Sequence, residues 1–151
     1  MRLVVLPVLL CAAAVAAHAG GITPNLSRNG RSAQVNYMTE CQGCHLPDGS
    51  GQKGRVPSMK AELHRFLKVD GGREFLVQVP GSANSKLSDA DLAALLNWLI
   101  PKMGGVEAEG FKSYTPEEIA AYRSDRLVDV TGTRAALVAK FDQPETSSVN
   151  R

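Results

Sequence analysis

Apolar positions form one unbroken run near the N-terminus and then a series of short segments whose spacing is helical rather than alternating. The clearest segment is 89–100, where Leu92, Leu95, Leu96, Trp98 and Leu99 recur at three- and four-residue intervals and lay a broad apolar stripe along one helix. Ser88 stands where an N-cap is wanted, Asp91 is third in the helix, and Pro101 predicts the stop. An earlier helix is expected over 33–42, capped by Ser32. Two short amphipathic segments, 61–68 and 72–78, are separated by Asp70-Gly71-Gly72, and Pro80-Gly81 opens a further loop. Thr115-Pro116-Glu117-Glu118 combines a cap, a first-position proline and an acidic third position, leading into 116–123. A last helix is expected over 133–141. No stretch keeps the period of two that a half-buried strand needs, so the expected fold class is all-α.

The apolar run, residues 3–17, follows Met1 and Arg2 and ends in Ala17-His18-Ala19, a small-x-small pattern. This reads as a signal peptide over 1–19, with the mature chain starting at Gly20. The run is too short to cross a bilayer comfortably, and the mature part holds no longer one. Lipidation at Cys11 is disfavoured, because Leu10 precedes it and the apolar run continues past it. The remaining ~130 residues suit one compact domain. They divide into a polar lead (20–32), a central helical domain (33–103) and a C-terminal helical extension (104–151) with a polar tail.

With a formal net charge of +2, nothing in the balance calls for a nucleic-acid partner. The charge is uneven: Lys53, Arg55, Lys60, Arg65, Lys68 and Arg73 outnumber Glu62 and Asp70 between 53 and 73. Such a rim either steers an acidic partner or is ordinary solvated surface.

The chemistry is concentrated in Cys41-Gln42-Gly43-Cys44-His45. Two thiols three positions apart on a helical turn can each bond one vinyl-derived carbon of a haem, and the adjacent imidazole is then aimed at the iron. Zinc would want a second pair of ligands at similar spacing, and none exists. A redox Cys-x-x-Cys normally opens a helix in a βαβ setting, which this chain lacks. Beyond the motif, 46–60 holds Pro47, Gly49, Gly51, Gly54 and Pro57 and is expected to be a loop wrapping the proximal side and edge of that haem.

Over roughly residues 33 to 100, the surroundings of the motif resemble a class I cytochrome c. Tyr37 stands four residues before the first motif cysteine, where the family places an aromatic, with small Ala33 a turn earlier. Trp98 is similar to the aromatic of the last core helix that crosses this point. Gly54-Arg55-Val56-Pro57-Ser58-Met59 is similar to the family loop whose proline carbonyl accepts a hydrogen bond from the proximal histidine. The resemblance implies one covalent haem c, thioether bonds at Cys41 and Cys44, His45 as proximal iron ligand and Pro57 as its outer partner. It departs at one place. The family's distal methionine usually precedes the last helix, often followed by proline, and here that place reads Val79-Pro80. The remaining candidates for the sixth position are Met59, Met103 and His64, then Asn84 and Met38. Met59 stands first among them, although it falls where the family has an apolar residue packed beside the haem.

The expected function is that of a periplasmic single-electron carrier rather than an enzyme, because no distal acid-base pair accompanies the motif. By family analogy its donor is a periplasmic dehydrogenase and its acceptor another cytochrome or an oxidase. The alternatives are a haem protein with an open iron site for a small ligand, and a cytochrome subunit held permanently on a dehydrogenase through residues 105 to 151.

Overall fold

Ser32, Ser88 and Thr115 each turn a side-chain oxygen onto a backbone N–H three residues ahead, that of Val35, Asp91 and Glu118, all at 3.2 Å. These bonds satisfy helix-end donors and fix where three of the helices begin. The structure is a computed structural model that describes residues 28–60, 62–104 and 111–142. Its helices, in chain order, are α1 (Ala33–Glu40), α2 (Leu63–Phe66), α3 (Gly72–Gln78), α4 (Pro80–Ala83), α5 (Asp89–Met103), α6 (Pro116–Ser124) and α7 (Val130–Val138). Among the described residues no strand forms, and an isolated antiparallel bridge pairs Gln52 with Val56. The chain is all-α, as the spacing of its apolar positions predicts.

The organising contact is α1 across α5. Tyr37 and Trp98 meet there with ring centroids 6.0 Å apart and planes tilted by 48°. Around that crossing the apolar stripe of α5 is buried from Leu92 to Ile100, and Phe66 of α2 stacks on Phe75 of α3 at 5.1 Å.

Several boundaries differ from expectation. Helix α5 runs through Pro101 to Met103. Proline forfeits the bond its own N–H would make and crowds the carbonyl one turn back, yet the amide of Gly104 still reaches the Ile100 carbonyl at 2.9 Å, and burial of Met103 holds the extra turn. The Pro80-Gly81 segment forms one helical turn, α4, with proline in its first position, instead of a plain loop. Helix α7 starts at Val130 rather than 133, because the Asp129 carboxylate caps the Gly132 amide at 2.8 Å. Helix α1 ends at Glu40 and α2 is confined to Leu63–Phe66.

The C-terminal extension packs into the body. Helix α6 lies against α5 and α3, and α7 against α3. Ile119 is fully buried, and Tyr114 and Leu137 nearly so. Burying one such aliphatic side chain stabilises by roughly 1.5–3 kcal/mol. Two arginines pin the extension. Arg73 pairs with the Glu118 carboxylate, donates to the carbonyls of Lys112 (2.7 Å) and Ser113 (3.1 Å), and sits 3.9 Å over the Tyr114 ring. Arg123 donates to the carbonyls of Ala83 (3.2 Å), Ser85 (2.8 Å) and Leu87 (2.9 Å) and to Asp89 (2.8 Å), clamping the connection between α4 and α5. No helix among the described residues is long and apolar enough to cross a membrane.

Hydrogen bonding from Arg73 holds the Glu118 carboxyl below its ordinary range. A carboxylate depressed in the folded state adds stability that is present above its unfolded pKa and is lost as pH falls through the folded one. Chemical denaturation between pH 7 and 3 is expected to show Glu118→Gln less stable than wild type at neutral pH and less sensitive to acid. Parallel pH curves for the two proteins are the contrary result.

Candidate functional site

The carbonyl of Tyr37 accepts from the amides of Cys41 (2.9 Å) and Gln42 (3.2 Å), carrying the path of α1 past its last residue. The carbonyl of Cys41 then accepts from Cys44 (3.1 Å) and His45 (2.9 Å). This turn brings Cys41, Cys44 and His45 to the wall of one cavity of about 380 Å³. The other walls are the inner faces of α2, α3 and α5, which contribute Phe66, Phe75, Leu76, Leu92 and Leu96 among others.

The loop after His45 is tied to the motif helix and to itself. Tyr37 donates its hydroxyl to the Leu46 carbonyl at 2.6 Å, and burial pushes that phenol up, so it remains a donor. Leu46 N–H reaches Ser50 O at 2.8 Å, and Met59 N–H reaches Gly49 O at 2.8 Å. Gly49 is at φ 81°, and a Cβ there would lie 2.7 Å from the sulfur of Met103. Gly51 is more tightly held: a Cβ would stand 1.9 Å from the Val56 carbonyl oxygen and 2.6 Å from that of Pro57.

Two electrostatic features characterise the motif. Burial, followed by the neighbouring charges of Glu40 and Cys44, pushes the Cys41 thiol up to about 11, so it is a protonated thiol and not the lowered thiolate of a redox-active pair. Burial also lowers the His45 ring pKa, and its Nδ1 is buried with no hydrogen-bond partner. A neutral imidazole in an apolar hollow, flanked by two free thiols, is a donor set that fits a haem.

The other candidates separate cleanly. Pro57 and Met59 both line the cavity. The hydrogen bond expected between His45 and the Pro57 carbonyl is not made, that carbonyl standing against Gly51. Met103 is outside the cavity lining, buried with its sulfur against Gly49. The Nδ1 of His64 is engaged by the carbonyl of Gly104, also away from the lining. Met38 is 53% exposed on α1, and the amide oxygen of Asn84 accepts from Arg126 at 3.3 Å. Sequence reasoning missed two lining residues, Val130 and Arg134 of α7, the latter paired with Glu62. Nothing in the sequence marks them, because their place depends on how the extension folds back.

Short helices closed on an apolar hollow, with two thiols and an imidazole presented by one turn, define a small haem-binding helical protein. No family model matches the chain, and no solved structure matches it. Two relatives do: a cytochrome c-552 of Thermus thermophilus, and a second cytochrome c-552 from a particular strain of the same organism. Each is 30% identical over 112 residues, 62% of this chain, with 86% of the first relative and 76% of the second covered. The chain belongs to the class I c-type cytochromes.

Gly51→Ala is expected to force the Val56–Pro57 backbone outward at a cost of about 1–3 kcal/mol, the usual range for overpacking. Gly43→Ala, where a Cβ meets nothing within 4 Å, serves as its control inside the motif. Denaturant midpoints for the two variants check this, and equal midpoints contradict it.

Proposed function

We propose that the chain is an exported monohaem electron carrier, with Cys41 and Cys44 as thioether attachments and His45 as proximal iron ligand. The observation that carries the reading is the convergence of those three side chains on one apolar cavity, with the His45 imidazole held neutral there. Kinship with two cytochromes supports it. When bound, the haem supplies a one-electron couple. The protein's part is to hold and shield. Leu92, Leu96, Phe66 and Phe75 keep water off the cavity, and the Tyr37 bond to Leu46 fixes the segment that carries His45. A cavity walled by packed helices changes little with charge state, which suits rapid transfer to and from partners. Pro57 helps shape the proximal wall.

The N-terminal apolar run, read as a signal peptide, takes the chain to the periplasm, where its thiols meet haem. Residues 1–27 lie outside the described part of the structure. Partners are periplasmic redox proteins, a dehydrogenase as donor and a cytochrome or oxidase as acceptor. The basic rim offers such a partner less than its sequence promises, because Lys60, Arg65 and Arg73 are paired with Asp48, Asp142 and Glu118. Integration of Ile119 and Leu137 into the core favours a structural role for the extension over a permanent subunit interface.

Protein made in a host able to mature c-type cytochromes is expected, after denaturation and acid-acetone extraction, to keep the mass of one haem. Cys41→Ser with Cys44→Ser is expected to release it. A wild-type chain at bare polypeptide mass sinks the proposal. N-terminal sequencing that begins at Gly20 is the matching check on export.

A further inference from the structure

Beyond residue 27, every Met, His, Lys and Tyr of the sequence belongs to the described part of the structure, so each of these strong iron ligands can be located. Apart from His45, one of them lines the cavity: Met59. Its backbone amide is bonded to Gly49, and Gly49 in turn to Leu46, the residue that follows His45. Met59 is therefore anchored on the same short, self-bonded loop that leaves His45. A methionine that completes the coordination of an iron must come from the other face of the macrocycle.

The wall away from that loop is built by α3, α4 and the connection into α5. Helix α4 packs on α3 while α1 packs on α5, with the cavity between. That wall presents Leu76, Val79, Pro80, Gly81, Ser82 and Ser85. None is a strong iron ligand, and the Ser85 hydroxyl is already donated to the Ser82 carbonyl at 2.9 Å. Arg123 clamps this segment through three carbonyls and Asp89, so it is not free to swing Lys86 inward.

From this geometry we infer that the face of the haem opposite His45 is an open binding site for a neutral diatomic molecule, walled by Val79 and the α4 segment. The ligand class follows from the wall: it carries no charge to hold an anion, and what it offers is apolar surface, which suits carbon monoxide or nitric oxide on reduced iron. Electron transfer through such a protein responds to the presence of that molecule. The inference rests on the haem reading above.

The test is absorption spectroscopy on the purified holoprotein, wild type and Met59→Leu. The expected result has three parts: no near-infrared sulfur-to-iron band in the ferric wild type, an immediate shift of the main absorption band when carbon monoxide is added to the reduced protein, and the same behaviour in Met59→Leu. A wild type that shows the sulfur band, or that leaves carbon monoxide unbound, overturns the inference and leaves the haem reading standing. A chain without covalent haem, by contrast, removes the haem reading itself and the inference with it.

Discussion

Tyr37 joins the parts that have to act together. Its ring is packed at the crossing of α1 and α5 against Trp98, and its hydroxyl holds the carbonyl of Leu46 at 2.6 Å. The motif begins four residues after it, at the C-cap of the same helix, and the loop it grips begins directly after His45. One side chain thereby touches both the crossing of the two helices and the departure of the loop. Loss of its hydroxyl alone would untie the loop from the motif helix, at about 0.5–1.5 kcal/mol, the net worth of one such bond.

What was written locally was readable in the sequence. Caps at Ser32, Ser88 and Thr115 act within three residues, so their helices start where the residue types place them. The Cys-x-x-Cys-His turn needs only five residues to converge. What escaped were outcomes decided by distant partners. Pro101 marks a helix end by its own chemistry, yet burial of Met103 carries α5 past it. His64 and Met103 were eligible as ligands by residue type, and only the folded chain shows them engaged by Gly104 and Gly49. The cavity wall supplied by Val130 and Arg134 lies on a helix that nothing in the motif region foretells.

The extension changes what kind of domain this is. Arg73 and Arg123 are both arginines whose guanidinium groups collect backbone carbonyls, and both act between the haem-side helices and α6. A planar group with several fixed donors can satisfy multiple carbonyls at once, which a lysine cannot. By this means a connection of few residues between α4 and α5 is held in one shape without regular secondary structure, and the cavity wall inherits that rigidity.

The extra turn of α5 carries a mechanical consequence. Because Met103 closes against Gly49, the far end of the longest helix and the loop behind the motif histidine are two sides of a single joint. Neither can fray alone. Local opening of this protein should then proceed as one cooperative breathing of helix end and loop, so that the back of the binding hollow loosens only when the helix terminus does.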